Sequence, residues 1–351
     1  MIMLIKSKKI FSLFLLCSFV LIIAFPKLAR DGATRGLLIS ANVIIPSLFP
    51  FTVIILMLSR YLTKFNNRLL NKICYLIFGK KIKMFLIFAL SIIGGYPIGA
   101  KLIGELISRK EIDSKYANNM LIYCVNAGPA FVITAIGCTI LNSKEIGIIL
   151  YCSHIFSSII LAIICGIVFK KQETYDSSNT IPYISSNIFI ECVSDATASI
   201  IKICSLVIFF SSLNNCIDYV VCDLSILKHI TLFTEVTSAV SRYKNIYLIS
   251  FILGFSGLSI WFQIFSLSNF KINYFKFVLG RILHGSISVV VTKILLQIFK
   301  TNVPTYSNGD FFGQLHYNDF SIQISIFVML IVFFAYIYSK NNTGKIINDM
   351  I

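Results

Sequence analysis

The chain has 351 residues, 57% of them hydrophobic and only 13% charged, with a formal net charge of +16; its mean hydropathy is +0.84. Soluble domains carry about 25% charged residues, so this composition argues against a water-soluble enzyme. The basic excess does not point to nucleic acid either, because the lysines and arginines are scattered through short loops between apolar runs. Segments of roughly 20 apolar residues recur along the whole length, which defines an all-α polytopic membrane protein.

The amino terminus, MIMLIKSKKIFSLFLLCSFVLIIAFPKLAR, pairs Lys6, Lys8 and Lys9 with an apolar core. It has no A-x-A cleavage site, so residues 10–25 read as a retained first helix with a cytoplasmic amino end. PKLARDGATRG then forms an external connection, and a second helix, 36–61, is kinked by Pro46 and Pro50. The loop from Arg60 to Lys83 holds seven basic residues and no acid, which keeps it cytoplasmic. Residues 84–108 begin apolar, break at Gly94-Gly95-Tyr96-Pro97 and end in the polar ELISRKEIDSK. That pattern reads as a re-entrant hairpin with GGYP at its tip.

A span over 116–141 is interrupted at Asn126-Ala127-Gly128-Pro129, and a His154-bearing helix returns to Lys171. The polar stretch QETYDSSNTIPYISSN links two halves. The second half repeats the order: a helix from 188, a short hairpin with the tip TEVTS, a span interrupted at Gly254-Phe255-Ser256-Gly257, and a helix bearing His284. NAGPAFVITAIG aligns with FSGLSIWFQIF. The lysine pattern runs the halves in opposite senses, giving inverted-topology repeats with about eight transmembrane helices and two re-entrant hairpins. In domain terms, residues 1–30 are an anchor helix, 31–171 a first repeat, 188–300 a second, and 301–351 an external loop with a last helix ending near Lys340 at a cytoplasmic carboxyl end.

Non-helical backbone at membrane depth survives only when buried in protein or lining a polar cavity. Four breaks in matching positions therefore mark one central site, whose half-helix amino ends suit anions. The candidate binding residues are Gly94, Gly95, Tyr96, Pro97, Gly99, Lys101, Asn126, Gly128, Pro129, Glu235, Thr237, Ser238, Ser256, Gly257, Ser259 and Gln263. Small residues at such places also serve close helix packing. Lys101 either faces the cavity or snorkels or pairs with Glu105; Glu235 either binds a cation or a ligand N–H or caps its half-helix. Glu191, Asp195, Ala198 and Lys202 share a helix face turned inward. His154 and His284 are candidates for proton or ion coupling, or are hydrogen-bonded packing elements.

Ten cysteines include no CxxC pair; Cys216 and Cys222 share a loop and are able to pair. No metal-ligand cluster, phosphate loop or nucleophile–base pair is visible, so neither catalysis nor a cofactor is expected.

PSLFPF, GGYPIGAKL, CVNAGPAFVI, FTEVTSA, GFSGLSIWFQIFSL and RILHG, in this order over residues 30–300, resemble the YlbJ-type sporulation integral membrane proteins. These carry the nucleoside-recognition, or Gate, domain. The resemblance implies a transporter in the outer forespore membrane that moves dipicolinate (pyridine-2,6-dicarboxylate), a small anionic aromatic substrate. Tyr96 and Phe131 would face its ring and Lys101 its carboxylates. Trp261 departs from the expected smaller residue beside Gln263. A nucleoside carrier, or a non-transporting scaffold for envelope assembly, is the alternative; a homo-oligomer is compatible with either.

Overall fold

The computed structural model describes residues 2–61, 82–169, 187–221, 233–236, 239–240, 245–268 and 270–299, and all regular structure among them is helical. Helix α1 (Ile2–Ala24) stops at Phe25, because Pro26 opens α2 (Pro26–Ile39) and has no N–H for the preceding turn. The two helices meet at 105°. PKLARDGATRG, expected as an external connection, is therefore helical. The reason lies in its small residues: Ala29, Gly32 and Gly36 form a buried strip against α8 (Ile188–Val221). A Cβ on Gly32 would lie 2.5 Å from the Ser211 carbonyl, so the helices meet backbone to backbone. Ser212 Oγ and Asn215 Nδ2 tie the contact by donating to the carbonyls of Ala29 and Leu28, at 2.8 and 2.7 Å.

A π-helical stretch, π1 (Ser40–Ile44), leads into α3 (Ile45–Tyr61). Pro46 has no N–H for the carbonyl of Asn42, and the chain widens there instead of breaking. Helices α4 (Ile82–Gly94) and α5 (Tyr96–Ser108) are 13 residues each, about 20 Å at 1.5 Å per residue. Neither crosses a hydrocarbon core of about 30 Å. They pack on each other around Gly95, whose φ of +85° is open to glycine. The chain thus folds back within the segment 84–108, at the GGYP turn.

The 116–141 segment is divided. Asp113 caps α6 (Ser114–Met120) by accepting from the Tyr116 N–H at 2.6 Å. Residues 121–128 leave the helix, and π2 (Ala130–Ile140) follows. Then come α7 (Lys144–Val168), α8, α9 (Ile246–Phe255), α10 (Gly257–Leu267) and α11 (Tyr274–Ile298). Among the described residues, four units are long and apolar enough to span: α7, α8, α9 with α10, and α11; the bent pair α1–α2 is a fifth if it counts as one span. The expected last helix, the basic loop over 62–81, Cys222 and most of the second hairpin lie outside the described residues. Cys216 is a buried free thiol.

On α7 and α11 the polar residues turn inward and large apolar ones outward, as suits a bilayer. On α7, Ser153, His154, Ser157 and Ser158 are fully buried, while Phe156, Ile160, Ile163, Ile164 and Ile167 face outward. On α11, Arg281, His284, Ser288 and Thr292 are buried, while Leu279, Ile282, Leu283, Val290 and Ile294 face outward. Ser250 of α9 bonds the hydroxyls of Ser288 and Thr292 at 2.8 and 2.7 Å. In lipid, packing and such bonds hold helices together where water cannot.

Gly99 is the tightest point: a Cβ there would sit 1.8 Å from the Cys124 carbonyl, whereas one on Gly104 would meet nothing nearer than 3.5 Å. Gly99→Ala should therefore lower stability by more than about 2 kcal/mol, and Gly104→Ala should leave it unchanged or raise it. Thermal unfolding of the two variants in detergent checks this; equal midpoints would contradict the packing.

Candidate functional site

A helix that ends inside a bundle leaves up to four carbonyls without partners. At the end of α9 each one is accounted for. Ser256 N–H donates to Ile252 O at 2.7 Å, Tyr96 Oη to Leu253 O at 2.8 Å, Arg281 Nη1 to Gly254 O at 3.5 Å, and Trp261 Nε1 to Phe255 O at 2.8 Å. Ser256 itself turns the chain in the left-handed region, with φ +70°. Trp261, the departure noted in the sequence, is thus a cap on the break.

The first break uses the same arginine. Arg281 Nη1 donates to Val125 O at 2.7 Å, and Nη2 donates to Ile122 O and, at 3.4 Å, to Leu121 O. Tyr123 O accepts from Asn126 Nδ2 at 2.9 Å and from Ser158 Oγ at 2.7 Å. Ala127 N–H donates to His154 Nε2 at 2.9 Å. Asn126 Nδ2 also reaches Ser91 Oγ of the hairpin at 3.1 Å. The opened backbone is therefore held by buried side chains.

The two histidines meet at this point. Their rings stack at 4.3 Å with 29° between planes, and His284 Nε2 lies 3.1 Å from the His154 carbonyl. Tyr96 stands edge-on to His154 at 6.2 Å. Each histidine is ten residues into a 25-residue helix, His154 after Lys144 and His284 after Tyr274. Each helix has the same cap, Ser143 and Asn273 accepting from the N–H three residues on. Gly95 of the hairpin tip approaches Gly128, a Cβ there reaching 3.5 Å from its nitrogen, and Gly257 likewise approaches the Phe233 carbonyl and the Glu235 nitrogen. Ser259 N–H donates to Thr234 O at 2.9 Å.

Polar atoms without a hydrogen-bond partner gather here. Asn126 Oδ1, His154 Nδ1, His284 Nδ1, Arg281 Nε, Ser256 Oγ, Ser259 Oγ and Asn214 Nδ2 are buried and unpartnered among the described residues. Buried polar groups are otherwise almost always bonded, so these exceptions set the region of the breaks apart.

Of the residues singled out from sequence, Gly94, Gly95, Tyr96, Pro97, Gly99, Asn126, Gly128, Pro129, Ser256, Gly257, His154 and His284 are brought to the breaks and buried. Ser259, Gln263 and Glu235 are buried in α10 and the tip beside it; Thr237 and Ser238 lie outside the described residues. Lys101 is elsewhere. Its Nζ donates to Asp195 O at 2.8 Å and Ser199 Oγ at 2.7 Å on α8. Glu105 pairs with Arg109 at 3.3 Å, not with Lys101. Arg60 joins this outer cluster, bridging Glu191 at 2.6 Å and Asp195 at 2.8 Å. Ala198 and Lys202, expected to share an inward face with them, are exposed.

Sequence reasoning passed over Arg281. Its signal was present: a lone arginine seven residues into an apolar helix, one turn before His284, where burial is costly and marks a role.

The fold and the site define an all-helical integral membrane protein with interrupted spans around a buried polar centre. No family model and no solved structure matches the chain. It is distantly homologous to the sporulation integral membrane protein YlbJ of Bacillus subtilis (strain 168), 23% identical over 322 residues that cover 78% of this chain and 79% of the relative.

Arg281→Met would strip partners from carbonyls of both breaks. Hydrogen bonds to charged groups contribute about 1.5–3 kcal/mol each, so the loss should exceed about 3 kcal/mol, with Arg281→Lys recovering part of it. Lys101→Met should cost less than half as much. Detergent unfolding of the three variants tests the order; a wild-type midpoint for Arg281→Met would contradict the assignment.

Proposed function

We propose that this protein is a secondary carrier built from two inverted repeats, which moves pyridine-2,6-dicarboxylate across the outer forespore membrane during spore maturation. The observation that carries a carrier reading is the meeting of both broken spans, the GGYP turn and residues 233–236 around one buried, incompletely bonded polar centre. Carriers of the inverted-repeat kind place their sites at such a crossing of discontinuous helices. The matched placement of His154 and His284, their matched caps, and the pairing of each tip with its own break support the repeats.

The setting in sporulation follows the distant relative and the ordered motifs, and the dicarboxylate follows the family resemblance. The centre offers donors for such a ligand in Arg281 Nε and Asn214 Nδ2, and buried Tyr96 for its ring. A nucleoside is the competing substrate, favoured by the mixed set that adds the acceptor Asn126 Oδ1 and the hydroxyls of Ser256 and Ser259.

Reconstituted vesicles decide between them. The reading expects saturable uptake of labelled pyridine-2,6-dicarboxylate, insensitive to excess uridine. Asn126→Leu should reduce it roughly tenfold, the worth of one buried hydrogen bond, in a protein that still elutes as the wild type. Uptake of uridine instead would favour the nucleoside carrier, and a well-folded protein that moves neither would favour the scaffold.

A further inference from the structure

We infer that the carrier takes up one proton with its anionic substrate, and that the stacked pair His154–His284 is where the proton binds. The inference rests on the carrier reading and adds the coupling ion to it.

Hydrogen-bond partners fix the state of each ring. His154 Nε2 accepts from the Ala127 N–H at 2.9 Å, so it bears no proton and the ring's single N–H is at Nδ1. His284 Nε2 faces the His154 carbonyl at 3.1 Å. A carbonyl only accepts, so Nε2 carries a proton, and in the neutral ring Nδ1 has the lone pair. The pair rests neutral, and both Nδ1 atoms are buried without a partner.

The surroundings explain why. From α11 come His284 and, one turn earlier, the guanidinium of Arg281; from α5 comes the Tyr96 ring; from the break comes the Ala127 N–H. Tyr96 Oη is already committed to Leu253 O. Among the described residues no carboxylate forms an ion pair with Arg281 or either histidine. With none of the described carboxylates paired to these groups, a second positive charge at this buried place is stabilised when an anion arrives. By reciprocity, the anion then raises proton affinity by the factor by which the proton raises anion affinity. Two imidazolium rings centred 4.3 Å apart repel, which limits the pair to one proton.

The two lone pairs have different consequences. Protonating His284 Nδ1 leaves the bond to the His154 carbonyl in place. Protonating His154 Nε2 turns an acceptor into a donor facing a donor: the new N–H forms, the Ala127 bond breaks, and the extended segment before Pro129 loses a tether. Proton transfer from His284 to His154 thereby connects loading of the site to movement of the first break.

The test uses the full chain in vesicles at pH 7 with the membrane potential clamped at zero and a pH dye inside. Adding pyridine-2,6-dicarboxylate should acidify the lumen by one proton per substrate taken up, and an acidic exterior should drive accumulation. His154→Gln keeps an acceptor for Ala127 and binds no proton; it should equilibrate the substrate with at least tenfold less pH-driven accumulation. Wild-type uptake without acidification, or full accumulation by H154Q, would overturn the proton site and leave the carrier reading standing. If H154Q does not fold, the wild-type dye trace decides alone. No uptake of any carboxylate by folded wild-type protein would overturn both.

Discussion

Backbone that leaves a helix inside a membrane has no water to bond, and the whole centre of this protein is arranged around that constraint. One side chain answers much of it. Arg281 is completely buried and donates to carbonyls on both sides of the bundle, Val125 and Ile122 of the first break and Gly254 of the second. A guanidinium suits this task because its donors lie in a fixed planar fork. Helix ends also present partial negative charge where their carbonyls are free, so the cation is stabilised by the groups it satisfies. The two interrupted spans are consequently held as one unit.

The packing around this unit makes the constraint workable. Gly99 admits the Cys124 carbonyl, and Gly254 meets Gly285 so closely that a Cβ would lie 2.5 Å from its neighbour. Close backbone contact lets α9 lie on α11 and brings His284 across to His154. Away from the centre, a separate set of charges (Arg60 with Glu191 and Asp195, and Lys101 on α8) fastens α3 and α5 to the long helix. The buried centre and this half-exposed rim are thus separate polar regions. Only the centre contains the breaks.

Much of this was legible in the residues. Gly and Pro or Ser clustered in apolar runs mark the interruptions at GGYP, NAGP and GFSG, whereas a lone Pro50 stays inside α3. His154 and His284 were legible as the histidines of corresponding helices, whereas their stacking on each other was not. What failed depended on facts that spacing does not encode. Lys101 lies one turn beyond Pro97, but the face of α5 it occupies is set by how that helix docks, and it docks with Lys101 on α8. PKLARDGATRG looked like a connection because of its charges, yet its glycines and alanines fit against α8 as a helix. Arg281 sits in a run with no local pattern; its role appears only when breaks far apart in sequence present their carbonyls to it.

The central claim is that the two breaks form one site reached in turn from both sides of the membrane. Ser256, buried in the left-handed turn of the second break, is the position to probe, as a single cysteine in a chain otherwise free of cysteine. A membrane-impermeant thiol reagent is added to vesicles from the outside or trapped within them. The account predicts modification from either face, slowed by pyridine-2,6-dicarboxylate. Modification from one face only, or from neither in a folded protein, would contradict it.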